Sequence, residues 1–316
     1  MKFSFKHFYK SFLRSYGQVM LQGNAITGLL FLLGIALNSP TMLLGSILAI
    51  ISAFAVARLC RYYDVNAVRQ GLYGFNAALV GVAVLYFLPL SFISLFVVIV
   101  GGAFSTAVMH FMISKMARIP AFTTPFILTT WLILQFINYA ELTTVVSGVV
   151  GNVVDGVVSS APDMDYDAGM NFAIVVGYFK ASMRGVGQVM LQEYWLSGVF
   201  FLCALFVNCR KSAVWAFIGS AAGMLIAIGF SFPQEKVMMG LYGFNSCLVA
   251  IALVGRYPNK QWLILVAIVF AVLLTRAFEL ANIPALTAPF VITTLLVIAL
   301  VKIQTSYVNK SNAKPA

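Results

Sequence analysis

Two hydroxyl side chains, Thr123 and Thr287, occupy the same place in a repeated motif that contains two prolines. The motif reads IPAFTTPF at 119–126 and IPALTAPF at 283–290, and a Thr-Thr pair follows each copy three residues later. Proline removes a backbone donor and interrupts a helix, which leaves backbone carbonyls without helical partners. Hydroxyls and such carbonyls are uncharged hydrogen-bond acceptors. Residues of this type in this pattern favour contact with a small polar solute.

Two further motifs show that the duplication extends over the chain. GQVMLQ occurs without change at 17–22 and 187–192, and GLYGFN occurs at 71–76 and 240–245. The spacing between copies is 170 residues for the first motif, 169 for the second and 164 for the octet. The order is therefore kept, and the small differences in spacing must lie in connecting loops.

The composition predicts that these motifs lie in a membrane protein. The chain is 61% hydrophobic and 9% charged, with a mean hydropathy of +0.96, which is too little polar surface for a soluble globule of this size. A membrane-spanning helix needs about 20 apolar residues. Apolar runs in the first half, each with a counterpart in the second, lie at 25–37, 41–57, 72–100 with an interruption at Pro89, 101–113 and 121–139. We read five crossings in each half, ten in all.

An odd number of crossings in each copy means that the second copy enters the membrane from the opposite side, which gives an inverted-topology repeat. With a cytoplasmic N-terminus, sixteen basic residues then lie inside: Lys2, Lys6, Lys10, Arg14, Arg58, Arg61, Arg69, Lys115, Arg118, Arg210, Lys211, Arg256, Lys260, Lys302, Lys310 and Lys314. Four lie outside: Lys180, Arg184, Lys236 and Arg276. This bias predicts that both termini are cytoplasmic. The net charge of +11 therefore reflects topology and does not indicate binding of nucleic acid.

The predicted organisation has three parts. Residues 1–139 form the first repeat, 140–178 form an acidic linker outside the cytoplasm, and 179–316 form the second repeat. The expected fold is an all-α polytopic membrane protein with about five transmembrane helices and re-entrant half-helices in each repeat, and with a pore between the halves. Paired interruptions in two such halves point to a central permeation site.

Other kinds of chemistry find no support in the sequence. The chain has four cysteines without a CxxC spacing and two histidines, and it has no Gly-rich phosphate loop or nucleophile elbow. We therefore predict no disulfide framework, no metal site, no cofactor and no enzymatic activity.

The doubled motifs resemble those of the urea transporter family, also called urea channels, and in particular its bacterial members. The resemblance rests on GQV, on GLYGFN and the Leu-Val pair that follows it, and on the doubled octet, and it extends over nearly the whole chain outside the linker. It implies a homotrimer in the bacterial inner membrane, surrounded by lipid, with one pore in each protomer. Urea would pass down its gradient through a narrow selectivity filter.

The resemblance also implies roles for individual residues. Thr123 and Thr287 would form the middle of the filter. Apolar walls would come from Phe75, Leu79, Phe244 and Leu248. The outer two sites of the filter would lie near Gln18, Gln188, Leu21, Val189 and Leu191. Flat, uncharged urea carries N–H donors along its edges, so apolar walls and a row of acceptors suit it.

Several alternatives stay open at this point. Glu193 either attracts urea at the outer mouth or pairs with Arg184, and Gln18 and Gln188 either contact solute or bridge helices. An ion- or proton-coupled secondary transporter also uses inverted repeats, although it normally places an ionisable residue at mid-membrane. A channel for ammonia, water or short amides is a further alternative.

Overall fold

The computed structural model describes residues 5–59, 63–139 and 170–312, and the regular structure within these ranges is helical. In the first half the helices are α1 Phe5–Val19, α2 Ala25–Asn38, α3 Pro40–Leu59, α4 Val65–Arg69, α5 Phe75–Phe87, α6 Phe92–Lys115 and α7 Thr124–Tyr139. In the second half they are α8 Met170–Gly187, α9 Trp195–Asn208, α10 Arg210–Gly229, α11 Gln234–Met238, α12 Phe244–Arg256, α13 Gln261–Leu280 and α14 Ala288–Asn312. The second half thus repeats the succession of long and short helices of the first.

Within the described ranges, five helical stretches are long and apolar enough to cross a membrane, namely α3, α6, α10, α13 and the segment Ala288–Ser306 of α14. A sixth span results if Phe172–Met190 and Trp195–Asn208, which are bent by 75° at the break between them, count as one. Helices α2, α5 and α12 are apolar but shorter. The predicted all-α polytopic membrane fold is confirmed, whereas ten crossings is a finer count that stays a prediction.

Helix α8 begins at Met170, so residues 170–178 of the predicted linker are helical, and its part at 140–169 lies outside the described residues. The division into 1–139, 140–178 and 179–316 stays a prediction. The apolar run at 101–113 is the later part of a longer helix, because α6 begins at Phe92. The run before it ends where Pro89 follows α5, since proline and its predecessor both disfavour helix.

Short polar side chains begin several helices by accepting bonds from backbone N–H groups of the first turn. Asn24 accepts from the N–H groups of Ile26 and Thr27 at the start of α2. Ser91 and Ser94 cap α6 reciprocally. These local bonds set the helix ends close to the repeated motifs.

The centre of each half is a short helix that begins within the GLYGFN motif. Every residue from Phe75 to Leu85 in α5 is buried, and α12 is buried over most of its length. Neighbouring helices approach closely, because a Cβ atom on Gly81 would lie 2.2 Å from the carbonyl oxygen of Gly45 in α3. Small residues at such contacts are typical of helix packing in membranes.

The two halves contact each other reciprocally through α2 and α9. Thr27 donates to the carbonyl of Ala204 at 3.0 Å, and Ser197 donates to the carbonyl of Gly34 at 2.8 Å. Given the 170-residue spacing, Thr27 corresponds to Ser197 and Gly34 to Ala204. Two units related by a two-fold axis produce contacts of this kind.

Candidate permeation site

The two threonines of the repeated octet meet at the centre of the molecule. The Oγ1 atoms of Thr123 and Thr287 lie 2.7 Å apart and share a hydrogen bond. Their side chains are only 2% and 3% exposed. Thr123 directly precedes α7, and Thr287 directly precedes α14. The structure therefore brings together the hydroxyls that the repeat pairs in sequence.

The backbone is interrupted just before each threonine. Phe122 and Leu286 both have a φ of 43°, which lies in the left-handed region that side chains other than glycine rarely adopt. A pair of non-glycine residues held in this region at equivalent positions indicates a segment that the surrounding structure constrains.

Asparagines of the GLYGFN motif supply that constraint. In the first half, the side-chain amide of Asn76 donates to the carbonyl of Phe122 at 3.3 Å and accepts from the N–H of Phe126 at 3.2 Å. These bonds satisfy backbone groups on both sides of Thr123 that the interruption leaves without helical partners.

Asn245 makes the same two contacts in the second half. Its amide donates to the carbonyl of Leu286 at 3.2 Å, and its side-chain oxygen accepts from the N–H of Phe290 at 3.1 Å. Each motif asparagine thus holds the backbone on both sides of one threonine.

The predicted wall residues lie on the central helices. Phe75 and Phe244 are the first residues of α5 and α12, and Leu79 and Leu248 follow one turn later. All four side chains are buried, with exposed fractions from 0% to 8%. Their position places apolar side chains at the start of both buried helices, and their role as walls of the filter stays a prediction.

A cavity of about 320 Å³ opens in the first half beside the octet. Its lining includes three predicted site residues, Gln18, Leu21 and Phe75, together with Phe122 and Pro120. All of its lining residues are uncharged. The cavity reaches the residue that immediately precedes Thr123 and is therefore a candidate vestibule.

The predicted glutamines bridge backbone segments. The amide nitrogen of Gln18 donates to the carbonyl of Gln70 at 3.0 Å, and that of Gln188 donates to the carbonyl of Met239 at 3.3 Å. These carbonyls precede the two GLYGFN motifs. An amide oxygen is a separate acceptor, so a bridging glutamine that lines the cavity, as Gln18 does, can still accept from a solute.

The remaining predicted residues of the outer sites lie in sharp turns. Leu21 and Leu191 have φ values of 60° and 56°, and Val189 lies in a short 3₁₀ helix, Gln188–Met190, that follows α8. Leu21 lines the cavity and Val189 is buried. The two turns are the points at which α1 and α8 end, and they place Leu21 and Leu191 at equivalent positions.

Glu193 pairs with Tyr86 and not with Arg184. The Tyr86 hydroxyl donates to Glu193 Oε1 at 2.9 Å, whereas the Arg184 guanidinium donates to the carbonyl of Met238 at 3.0 Å. Sequence reasoning missed Tyr86. A signal existed, because the positions equivalent to Tyr86 and Glu193 are both glycine, Gly255 and Gly23.

The tyrosine of each GLYGFN motif is also held by a partner on a neighbouring helix. Tyr73 hydrogen-bonds His110 at 3.2 Å. At the equivalent positions Tyr242 donates to Glu279, which forms ion pairs with Lys236 and Arg276. These contacts give both tyrosines a structural role.

The arrangement offers hydrogen-bonding groups and apolar surfaces without a charged nucleophile. Among the described ranges, no three His, Cys, Asp or Glu side chains are grouped as a metal would require. Two hydroxyls, each both a donor and an acceptor, meet between buried aromatic and aliphatic side chains. Such a site can bind and release a small neutral solute that forms hydrogen bonds.

Comparison with known proteins gives matches along almost the entire chain. A sequence model of the family described as "Urea transporter" matches residues 9–302. Urea transporter 1 of Mus musculus is 27% identical over 309 residues, covering 91% of this chain and 76% of that protein. Urea transporter 1 of Ovis aries is 28% identical over 314 residues, with the same two coverages. The matched range includes both octets, both GLYGFN motifs and the cavity.

Proposed function

Because the chain belongs to the urea transporter family, we propose that it carries urea passively across the membrane through the site at Thr123 and Thr287. The chain is an integral membrane transporter and not an enzyme. The observation that carries the proposal is the hydrogen bond between the two threonines, 2.7 Å from Oγ1 to Oγ1, at the point where two interrupted helices meet.

The chemistry of urea suits this site. Urea is flat and neutral, with four N–H donors and one carbonyl acceptor, and a hydroxyl can serve either kind of group. A passing molecule replaces the bond between Thr123 and Thr287 with bonds to each hydroxyl, so neither oxygen loses its partner. This exchange matters because an unpaired buried polar group costs about 1–3 kcal/mol.

The proposed path of urea leads from the vestibule into the space between the buried wall residues of the two halves. Phe75 and Leu79 on one side, and Phe244 and Leu248 on the other, face the flat surfaces of urea, while Gln18 and Gln188 offer amide oxygens near the two ends of the filter. Leu21, Val189 and Leu191 complete the apolar lining there. Glu193 lies at the outer mouth. Ions are excluded because these groups cannot replace their hydration.

The two halves are proposed to be inverted in the membrane. The excess of basic residues on one side supports this orientation and cytoplasmic termini, and the reciprocal contacts of α2 and α9 support a two-fold relation. The first repeat is 1–139. The second is 179–316, and the acidic linker 140–178, whose last residues are part of α8, connects the two.

The protein is proposed to assemble as a homotrimer in a bacterial inner membrane, with one filter in each protomer. Family resemblance supports the trimer, and the apolar spans support the membrane location. Large apolar side chains are exposed on the long helices, for example Phe96 on α6 and Leu265 on α13. They require lipid or a second copy as a neighbour.

Uncharged lining separates this proposal from a coupled transporter. A secondary transporter normally carries an ionisable residue at its site, whereas the vestibule that reaches Phe122 is lined by uncharged residues. Channels for ammonia or short amides differ from a urea channel only in solute preference. A flux comparison distinguishes these functions.

Stopped-flow measurements on proteoliposomes test the proposal. Urea, thiourea, formamide, acetamide and ammonia are compared with protein-free liposomes of the same lipid. We expect rapid urea equilibration that needs no sodium or proton gradient. Urea uptake that appears only when such a gradient is imposed would show the passive mechanism to be wrong.

A further inference from the structure

A second cavity of about 340 Å³ lies away from the proposed solute pathway, between the end of α12 and the middle of α14. Its lining residues are Arg256, Tyr257, Ile298, Val301, Lys302, Thr305 and Ser306. Two basic side chains and three hydroxyls, one of them on the aromatic ring of Tyr257, thus border two aliphatic side chains. This mixture of charge and apolar surface is typical of a site for an amphipathic molecule.

The positive charge of this cavity has no acidic partner within the described part of the chain. Ion pairs there involve Glu279 with Lys236 and Arg276, and no Asp or Glu lines the cavity. A third basic side chain lies close, because Lys260 Nζ is 6.0 Å from the centre of the Tyr257 ring. An anion would therefore be attracted to the cavity.

The hydroxyls of Thr305 and Ser306 already donate to backbone carbonyls of their own helix. Thr305 donates to the carbonyl of Val301, and Ser306 donates to the carbonyl of Lys302, both at 2.9 Å. The groups available to donate to an anion are the guanidinium of Arg256, the ammonium of Lys302 and the hydroxyl of Tyr257. A phosphate oxygen suits all three, since charge-assisted bonds to it are short and strong.

The first half of the chain retains the aliphatic part of this cavity but lacks its charge. With spacings of 169 and 164 residues, the positions equivalent to the seven lining residues are Phe87, Leu88, Leu134, Ile137, Asn138, Glu141 and Leu142. Leu134 and Ile137 keep the aliphatic character of Ile298 and Val301, whereas the positions of both basic residues carry uncharged side chains. The positive charge is therefore specific to one side of the repeat.

We propose that this cavity binds the phosphate of an anionic phospholipid of the cytoplasmic leaflet. The phosphate contacts Arg256 and Lys302, and an acyl chain lies along Ile298 and Val301. Basic pockets between transmembrane helices on the cytoplasmic side are suited to such headgroups. The choice of leaflet rests on the proposed inverted topology.

Binding at this cavity joins two helices that also form the solute site. Helix α12 begins with Phe244, and α14 begins directly after Thr287. A phosphate held by Arg256 near one end of α12 and by Lys302 of α14 therefore restrains the two helices relative to each other. If this restraint alters the solute site, the urea flux depends on how much anionic phospholipid the membrane contains.

Native mass spectrometry of the detergent-solubilised protein tests the proposal with added phosphatidylglycerol or phosphatidylcholine. We expect the wild type to bind phosphatidylglycerol in preference, and the double variant Arg256→Gln with Lys302→Gln to bind it about tenfold more weakly. The matched control, Arg210→Gln with Lys211→Gln, removes the same charge from exposed positions outside the cavity and should bind as the wild type does. Equal binding by both double variants would overturn the proposal.

Inorganic phosphate is the probe for the second possible source of the anion. Added phosphate should displace little phosphatidylglycerol, because it lacks the acyl chains that contact Ile298 and Val301. Thermal stabilisation of the wild type by phosphate alone, equal to that given by the lipid, would contradict a lipid site. Urea flux is measured in a separate experiment. If the protein binds phosphatidylglycerol selectively but does not transport urea, only the transport proposal is refuted.

Discussion

Tyr86 of the first repeat donates a 2.9 Å hydrogen bond to Glu193 of the second, and the residues equivalent to both are glycines. The contact therefore has no counterpart at the positions of Gly23 and Gly255. With the proposed topology, the outer mouth carries a phenol and a carboxylate that join the two halves, and the inner mouth does not. The two ends of the path thus differ in chemistry although the centre is paired.

We expect Glu193→Gln to lower the rate of urea entry by about threefold, because an ionised acceptor binds N–H donors roughly twice as strongly as a neutral one. Tyr86→Phe should have a smaller effect in the same direction, since it leaves the carboxylate in place but removes the group that orients it. Stopped-flow urea flux in proteoliposomes measures both.

Glu235→Gln provides the matched control for this change. Glu235 is exposed on α11, so its neutralisation alters the net charge equally without altering the mouth. A loss of flux as large as that of Glu193→Gln would assign the effect to overall charge.

The second prediction concerns the hydroxyls of Thr123 and Thr287. Thr123→Val together with Thr287→Val keeps the shape of both side chains but removes the hydroxyls that bond each other at 2.7 Å. A urea molecule at this point would then lose two hydrogen-bonding partners, at about 1–3 kcal/mol for each unsatisfied group. We expect urea permeability to fall by about tenfold or more, since 1.36 kcal/mol corresponds to a factor of ten in rate.

Thr124→Val tests whether any buried threonine in this segment would have the same effect. The Thr124 hydroxyl is buried and forms no hydrogen bond within the described structure, and its equivalent is Ala288. Near-normal flux in this variant and a large loss in the double variant are expected. Unchanged urea flux in the Thr123 and Thr287 double variant would show that the two hydroxyls take no part in urea transport.

The asparagines that hold the threonines give a prediction about stability. Asn76→Ala leaves the carbonyl of Phe122 and the N–H of Phe126 without the partners that they have now. Buried backbone groups in this condition cost about 1–3 kcal/mol each. We expect the apparent melting temperature in detergent to fall by about 5 °C or more.

Asn245→Ala should lower the melting temperature by a similar amount, because Asn245 makes the equivalent two contacts. Asn66→Ala, at an exposed position on α4, should leave it unchanged. If Asn76→Ala were as stable as Asn66→Ala, the interrupted backbone would have to be held by other groups.

The features that could be predicted from the sequence are those that occur at equivalent positions in both halves. Thr123 and Thr287 occupy equivalent positions of the repeated octet, and the structure brings their hydroxyls together. Tyr86 and Glu193 were not paired in advance, because each departs from its own equivalent and only folding brings the two departures together. Contacts between equivalent residues can therefore be predicted from a sequence repeat, whereas contacts between residues that differ from their equivalents cannot.

Helix boundaries were harder to predict for a different physical reason. Hydropathy does not change between α5 and α6, so only Pro89 and the capping serine Ser91 mark the end of one helix and the start of the next. Polar residues near Met170 likewise did not reveal that α8 begins there. In an apolar chain, local capping and proline chemistry decide boundaries that hydrophobicity alone leaves undefined.

The inverted topology gives the last prediction. Leu90 and Asn259 are exposed residues at equivalent positions, 169 residues apart, in the connections after α5 and α12. If the halves are inverted, these two positions face opposite sides of the membrane, with Leu90 outside. Single cysteines are introduced at each in a background that lacks Cys60, Cys203, Cys209 and Cys247. A membrane-impermeant maleimide should label Leu90→Cys in intact cells and Asn259→Cys only after permeabilisation, and retained urea flux verifies the fold of each variant. Labelling of both from the same side would exclude inversion, because equivalent residues of parallel repeats share a side.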